Sequence, residues 1–351
     1  MASGTILKSK IFNILLICAF FLLAAPFSKS ASAEEGAKDP KEVAKEAILE
    51  HIGDSHSWPV LGKTTIGLPV ILYTDKGFDI FSSKQIEQEG AVYAGAKYSY
   101  KLEGNKVKVV DASGKVDEDA SKKVWDFSIT RNVISLFLSC AVLLLVFLSV
   151  SSAYKKRTNR APKGLQSFME PLIVFIRDDV AIPNMGYKYT RFMPLLLTVF
   201  FFILVNNLLG IVPFFPAGYN LTGNIAVTGT LAVIILFVVN LNGNKYYWKH
   251  IFLPDVPFWI LPIMWIVEIV GIFSKPIALM IRLFANMTAG HIVALSLISL
   301  IFIFGTLWIS PVSVGFVVFM DVIEVLIAFL QAYIFTLLSA LFIGMAIMEH
   351  H

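Results

Sequence analysis

Long apolar runs fill the last two thirds of the chain and predict its architecture. The runs at 133–153, 192–212 and 225–241 each have about the 20 residues that an α-helix needs to cross the hydrocarbon core of a bilayer. Two longer runs, at 258–304 and 311–348, would form helices about 70 and 55 Å long at 1.5 Å per residue. Because the hydrocarbon core is only about 30 Å thick, those two helices must be strongly tilted, broken or folded as hairpins.

One further apolar stretch is too polar to cross a membrane. Residues 165–181 are interrupted by four charged residues and a proline, namely Glu170, Pro171, Arg177, Asp178 and Asp179. We therefore expect the segment 165–191 to contain an amphipathic helix that lies along the cytoplasmic membrane surface. The whole pattern predicts an all-α polytopic membrane protein with about five membrane helices, the last two long and tilted, and one interfacial helix.

A polar segment at 34–127 precedes the membrane helices and predicts a small external α+β domain. A helix is expected at 42–51 and a strand at 67–73. Alternating apolar residues on both sides of Gly104-Asn105 indicate a β-hairpin.

The composition supports a membrane location and limits other chemistry. Of the 351 residues, 56% are hydrophobic and 15% charged, and the mean hydropathy is +0.72, as in integral membrane proteins. The net charge of +4 gives no indication of nucleic-acid binding. No intramolecular disulfide is expected, since Cys18 lies in a segment predicted to be removed and Cys140 lies inside a predicted membrane helix. His51 and His56 leave a metal site open, but a local surface cluster is the simpler interpretation, and no metal or cofactor is expected.

The N-terminal residues have the pattern of a secretory signal peptide. Lys8 and Lys10 give a positive start, 11–27 is apolar, and Ala31 and Ala33 form a small-residue cleavage site. The alternative is a first transmembrane helix.

Basic residues orient the chain across the membrane. They follow the first and third runs, at Lys155, Lys156, Arg157, Arg160 and Lys163 and at Lys245, Lys249 and His250. Loop 213–224 has neither Lys nor Arg, so the positive-inside rule makes it external and the two basic loops cytoplasmic. This places the N-terminal domain outside and the C-terminus in the cytoplasm, as in a bacterial inner-membrane protein. The predicted segments are a signal peptide (1–33), an external domain (34–127), a first membrane helix with its basic loop (128–164), an interfacial helix (165–191), a helical hairpin (192–256) and two long helices (257–351).

Six titratable side chains lie within the last two apolar runs and mark the candidate functional site. They are Glu268, Lys275, Arg282, His291, Asp321 and Glu324. Ionisable groups inside a membrane face protein or water and commonly mark ion paths, because their exposure to lipid is costly. The alternative is that they act as paired clamps between helices.

Helical spacing places several of these groups on one face. At about 100° per residue, Glu268, Lys275 and Asn286 lie within about 40° of the direction of Arg282. His291 is nine residues beyond Arg282 and points to about the opposite face.

A short connection requires the two long helices to run antiparallel. If Gln331 lies level with Arg282, then His291 is about 13 Å and Glu324 about 10 Å toward the outside. On the same assumption, Glu268 is about 21 Å toward the cytoplasm. This arrangement has an external acid–imidazole pair, an internal carboxylate and a fixed positive charge between them, as two offset half-channels require.

Several motifs resemble subunit a of the rotary (F-type) ATP synthase, over roughly 132–350. In chain order they are Asn207 to Pro213 (NLLGIVP), Ser274-Lys275-Pro276, Arg282 to Met287 (RLFANM), Ala289-Gly290-His291, Glu324 with Gln331 to Phe335 (QAYIF), and Met348-Glu349-His350. The polar domain at 34–127 lies outside this resemblance.

The resemblance implies a non-catalytic, proton-translocating stator subunit with two offset half-channels. Arg282 would face the carboxylates of a rotating ring of c subunits and form the barrier between the half-channels, and Gln331 would hold its guanidinium. The other site residues would form an external proton path of His291, Glu324, Asp321 and Asn286 and a cytoplasmic path of Glu268 and Lys275. Peripheral-stalk b subunits and membrane lipid would be further partners, and a proton is favoured over sodium as the coupling ion.

Two other classes of function remain open from the residues alone. A secondary transporter or channel would use Arg282 as a counter-ion for its substrate, but no internal repeat is visible in the sequence. A membrane-embedded enzyme is the second alternative, although the sequence has no His-Glu-x-x-His helix and no paired aspartates at helical spacing.

The signal-peptide interpretation predicts that the mature protein begins at Glu34. The measurement is N-terminal sequencing or mass spectrometry of the protein purified from membranes. Retention of Met1 in the purified protein would instead show that 11–27 is kept as a membrane helix.

Overall fold

A computed structural model describes most of the chain after the first 52 residues. The described residues are 53–61, 64–86, 91–95, 97–103, 106–111, 114–156, 161–212, 218–219, 221–254, 256–304 and 310–347. The predicted signal peptide, the helix at 42–51, the turn at Gly104-Asn105, the connection at 305–308 and the motif at 348–350 lie outside these residues.

The described part of the segment before the membrane helices is built from short β-strands. They are β1 Ser57–Leu61, β2 Thr64–Gly67, β3 Pro69–Thr74, β4 Gly77–Ser82, β5 Val92–Ala94, β6 Ser99–Glu103, β7 Lys106–Val110 and β8 Trp125–Asp126, with a one-turn helix, α1, at Glu118–Ser121. They pair antiparallel as β1-β2, β4-β3-β8 and β5-β6-β7. The predicted hairpin corresponds to β6 and β7. The strand predicted at 67–73 is divided between β2 and β3, because the Leu68 amide donates to the Ser83 hydroxyl between them.

Alternating residues of these strands supply a small core. Val70 and Leu72 of β3 are fully buried, as is Tyr100 of β6. The Tyr100 hydroxyl donates to Asp79 Oδ2 at 2.7 Å. Burial and the neighbouring carboxylate raise the pKa of Tyr100 far above its usual value, so the phenol stays neutral and remains a donor.

The rest of the described chain is helical. The helices are α2 Arg131–Lys156, α3 Leu165–Phe175, α4 Ile182–Met185, α5 Tyr189–Ile211, α6 Ile225–Leu241, α7 Lys245–Phe252, α8 Leu261–Phe304 and α9 Ser310–Ile347. Four helical stretches of the described residues are long and apolar enough to cross a membrane, and a fifth is obtained if the bent pair α6–α7 counts as one span. The protein is therefore a multi-pass membrane protein, in agreement with the predicted number of helices.

The predicted interfacial helix is joined to the next membrane helix without a gap. A π-turn at Ile176–Ala181 connects α3 to α4, and a 3-10 turn at Gly186–Lys188 leads into α5. Gly186 has a φ of 53° at this bend, a left-handed conformation that suits glycine. The path 165–211 thus qualifies by length and composition as one candidate span, whereas the sequence predicted a separate surface helix followed by a crossing helix.

The two last helices are as long as the apolar runs predict. α8 has 44 residues and α9 has 38, and α8 continues through Pro276 without ending. Leu283 and Met287 of α8 and Phe335 of α9 are fully buried in one shared core, which extends into α5. The possibility that either run folds as a hairpin is therefore excluded.

Contacts between elements define two ends of the helix bundle, which we call the domain end and the opposite end. At the domain end, Arg131 Nη2 at the start of α2 donates to the Gly53 carbonyl at 2.8 Å, and the Arg131 guanidinium lies over the ring of Tyr219 in the α5–α6 connection. At the opposite end, Lys188 Nζ and Asn244 Nδ2 donate to the Ile347 carbonyl of α9 at 3.0 and 3.3 Å. The strands and the α5–α6 connection thus lie at one end, and the α6–α7 turn and the C-terminal end of α9 lie at the other. This is the grouping that the basic residues of the sequence predict.

Candidate functional site

An acid–imidazole contact joins the two long helices in their domain-end halves. His291 Nδ1 of α8 and Glu324 Oε1 of α9 are 3.0 Å apart, and their side chains are 12% and 8% exposed. The preceding glycine allows this contact, because a Cβ on Gly290 would lie 2.5 Å from Glu324 Oε1. The sequence predicted similar depths for the two side chains, and the structure brings them together as a hydrogen-bonded pair.

A second polar contact corrects the assumed level of Gln331. Asn286 Nδ2 donates to Gln331 Oε1 at 2.8 Å, so Gln331 lies level with Asn286 rather than with Arg282. The difference of four residues is about 6 Å along the helix. Among the described residues, Gln331 forms no hydrogen bond with Arg282, and its side-chain oxygen accepts from Asn286 instead.

Arg282 lies on the outer surface of the helix pair. Its side chain is exposed, and within the described part of the chain it has neither a hydrogen bond nor an ion pair. The neighbouring residues on this face, Ala278, Ala285 and Ala289, are small and exposed. Small residues of this kind let another helix approach closely inside a membrane.

The cytoplasmic candidates lie toward the opposite end. Glu268 Oε1 of α8 is 3.7 Å from His250 Nδ1 of α7. Lys275 is exposed, and its Nζ lies 5.6 Å from the centre of the Phe342 ring of α9. Glu268 and Lys275 therefore occupy the half that sequence spacing predicted, and His250 is an additional site residue that appeared in the sequence only as one charge of a basic loop.

The sequence also missed a row of buried polar contacts beside the acid–imidazole pair. The Thr222 hydroxyl donates to Asn207 Oδ1 at 2.6 Å, and Asn207 Nδ2 donates to the Ala328 carbonyl of α9 at 3.3 Å. The Thr288 hydroxyl of α8 donates to the Gly223 carbonyl at 3.4 Å. A polar residue inside an apolar run was a signal for Asn207, but no sequence spacing connects it to Thr222 or Ala328.

Two other candidates are placed less tightly. Asp321 is partly exposed one turn before Glu324 on α9. His56 Nε2 lies 3.5 Å from Asp126 Oδ2, and burial opposes ionisation of Asp126, while its contacts with His56 and Ser128 lower its pKa overall. No group of three His, Cys, Asp or Glu side chains that could bind a metal is found among the described residues, and His51 lies outside them.

Fold and site together define a multi-pass helical membrane protein with an exposed arginine and a buried acid–imidazole pair on its last two helices. Residues 133–344 match the family model described as "ATP synthase A chain". The chain belongs to the family of subunit a of the F-type ATP synthase. Residues 47–127 match a second family model, described only as a domain of unknown function (DUF8433).

Curated relatives agree with this assignment. The chain is 53% identical over 228 residues to ATP synthase subunit a of Chloroherpeton thalassium, covering 64% of this chain and 68% of the relative. It is 50% identical over 230 residues to ATP synthase subunit a 2 of Prosthecochloris aestuarii, covering 63% and 69%. It is 43% identical over 234 residues to ATP synthase subunit a of Myxococcus xanthus, covering 64% and 75%.

The close approach of Glu324 to Gly290 predicts that Gly290→Ala separates the acid–imidazole pair. The added methyl group leaves no room for the carboxylate in its present place, and such overpacking typically costs about 1–3 kcal/mol. Solid-state NMR of ¹⁵N-histidine-labelled protein, with the His291 signal assigned from a His291→Gln variant, should show the loss of the hydrogen-bonded Nδ1 signal.

The matched control is Gly315→Ala in α9, where an added Cβ has no atom within 4 Å. This variant should leave the His291 signal in place. An unchanged His291 signal in Gly290→Ala would mean that the glycine is not required for the contact.

Proposed function

We propose that this chain is the proton-translocating stator subunit of an F-type ATP synthase and that Arg282 separates two proton half-channels. The observation that carries the proposal is the exposed Arg282, which has no partner among the described residues and shares its helix face with three exposed alanines. A guanidinium is costly in lipid, so a site that keeps it exposed needs a negative group from another subunit. A ring carboxylate of a c subunit supplies that group.

The external half-channel is formed around the acid–imidazole pair. His291 is nine residues from Arg282, about 13 Å along α8 toward the domain end. Glu324 and His291 exchange a proton across their 3.0 Å contact, and Asn286 and Asp321 extend the polar path toward Arg282 and the outside. In this proposal a proton from outside passes this pair and neutralises the ring carboxylate.

Arg282 controls what happens to the ring carboxylate. Once neutral, the carboxyl group can move through lipid at low cost, whereas the ionised group cannot. The guanidinium stays charged at every physiological pH, so it attracts the ionised carboxylate without relaying protons itself. It thereby also blocks direct leakage from one half-channel to the other. Gln331 acts on it only indirectly, through Asn286, which lies one turn from Arg282 on α8.

The cytoplasmic half-channel runs along the other half of α8. Glu268 lies 14 residues from Arg282, about 21 Å along the helix, where His250 is its neighbour. Lys275 lies between them and adds positive charge that favours ionised carboxylates nearby. A proton released there leaves to the cytoplasm, and the membrane potential drives the transfer at about 2.3 kcal/mol per charge per 100 mV.

The proposed orientation places the domain end outside the cytoplasm and the opposite end inside. Support comes from the basic loops of the sequence, which fall at the opposite end, and from the strands, which share an end with the α5–α6 connection. The bacterial inner membrane as location, and c-ring and peripheral-stalk b subunits as partners, belong to the same proposal.

Arg282→Ala should abolish ATP-driven proton pumping and proton-driven ATP synthesis. Removal of a preorganised charged donor from an active site costs about a hundredfold or more in rate. Arg282→Lys should fail similarly, because a desolvated ammonium can lose its proton. Acidification of inverted vesicles on addition of ATP measures the effect.

Arg191→Ala is the matched control for Arg282, since Arg191 is an exposed arginine of α5 outside the proposed paths. It should pump normally. Normal acidification by Arg282→Ala vesicles that contain the assembled complex would refute the proposed function.

The pairing of Glu324 with His291 gives a second test. Either single change, Glu324→His or His291→Glu, places two like groups at the buried contact, and like charges there are unfavourable. The double variant restores one acid and one imidazole in exchanged places, so it should conduct more protons than either single variant. Proton flux into reconstituted vesicles under an imposed potential is the measurement.

The control for this exchange is assembly of the complex, checked by co-purification of the ring. If the double variant is no better than the poorer single variant, the two residues do not act as a pair. Asp321 then becomes the candidate for the external proton acceptor.

A further inference from the structure

Three side chains from separate segments form a buried contact at the domain end, which we call the outer seam. Trp58 of β1 meets Tyr219 edge to face, with ring centroids 5.0 Å apart. The Arg131 guanidinium carbon, at the start of α2, lies 4.4 Å from the centre of the Tyr219 ring. Trp58, Arg131 and Tyr219 are each at least nine-tenths buried. The outer seam therefore holds the strand-rich segment, α2 and the α5–α6 connection in one fixed arrangement.

Tyr219 is joined directly to the turn after it. The Leu221 amide donates to the Tyr219 carbonyl at 3.0 Å and begins the 3-10 turn Leu221–Gly223. Leu221 and Thr222 are fully buried. The backbone of Tyr219 is thus held to this turn, so the packing of the Tyr219 side chain and the position of the turn are fixed at adjacent points of the chain.

The same turn is bonded to both helices that carry the acid–imidazole pair. Thr222 is linked through Asn207 to the Ala328 carbonyl, one turn along α9 from Glu324. The Gly223 carbonyl accepts from Thr288, three residues before His291 on α8. Because Asn207 and Thr222 are inaccessible to water, these hydrogen bonds have no ready replacement when they break.

We infer that Tyr219 is a positioning residue for proton translocation, through which the strand-rich segment sets the spacing of His291 and Glu324. This inference rests on the proposed function, since it assigns the acid–imidazole pair to the external proton path. The strand-rich segment, which matches a family model of unknown function, then stabilises the geometry of that path. Protons do not pass through the outer seam itself.

The test compares two substitutions of Tyr219 in the full chain, assembled with its complex. Tyr219→Ala removes the ring from the outer seam and should lower proton flux into vesicles about fivefold, the factor expected if the shift of the turn breaks one of its hydrogen bonds to Asn207 or Thr288. Tyr219→Phe keeps the ring contacts with Trp58 and Arg131 and should recover most of the flux. Phe78→Ala is the matched control, because Phe78 is an exposed aromatic residue of the same strand-rich segment, 63% exposed.

A second variant tests the connection between the outer seam and the pair. Thr222→Val keeps the shape of the side chain but removes its bond to Asn207, and it should lower proton flux about fivefold. If both residues act along one path, Tyr219→Ala combined with Thr222→Val should be little worse than either alone, since coupled residues are not additive. Independent losses that multiply to about 25-fold would show two separate effects and overturn the inference.

The outcomes separate this inference from the proposed function. Normal pumping by Arg282→Ala would refute the proposed function, whatever Tyr219 does. Loss of pumping in Arg282→Ala together with normal flux in Tyr219→Ala would refute only the role of Tyr219. Equal loss in Tyr219→Ala and Tyr219→Phe, or in Phe78→Ala, would also overturn it, because the effect would not depend on the ring contacts of the outer seam.

Discussion

The cost of an ionised side chain in hydrocarbon is the constraint on which the two long helices depend. Such a group must be paired, reach water or meet a partner from another subunit. Glu324 and His291 satisfy this requirement inside the chain, where each covers the other in a buried contact. Arg282 has no such partner among the described residues, and in the proposed function a neighbouring subunit supplies one. The site thus has one part that is complete within the described residues and one part, around Arg282, for which we propose a partner on the ring.

The same constraint explains the small residues around the site. A carboxylate can lie against a helix backbone only where no Cβ intervenes, as at Gly290. A neighbouring subunit can approach a guanidinium only across a low surface, which Ala278, Ala285 and Ala289 provide around Arg282. Glycine and alanine thus have different effects here. Gly290 allows Glu324 to pack against α8 inside the chain, whereas the three alanines leave the surface around Arg282 uncovered.

The sequence predicted those features that depend on the regular geometry of single helices. The lengths of the apolar runs predicted the two long helices. The rise per residue predicted that His291 and Glu324 lie at similar depths, because residue number fixes position along a helix of known pitch. The level of Gln331 was wrong by about one turn, since the register between helices depends on their packing and on a connection whose shape the residues do not specify. The contacts of Thr222 and Asn207 join separate elements, so no local sequence pattern predicts them. The sequence analysis also did not predict that α3 continues into α5 through short helical turns. It expected two separate helices, whereas the chain only bends at Gly186.

The regular rise of α8 also fixes how the membrane is divided. From His291 to Glu268 there are 23 residues, about 35 Å along the axis, which is close to the thickness of the hydrocarbon core. The two titratable groups are therefore too far apart along α8 to exchange a proton directly. Arg282 stands between them, nearer to His291. In the proposed function, a proton that crosses the membrane leaves this subunit near the arginine and returns to it on the other side, carried by a ring carboxylate that moves past Arg282.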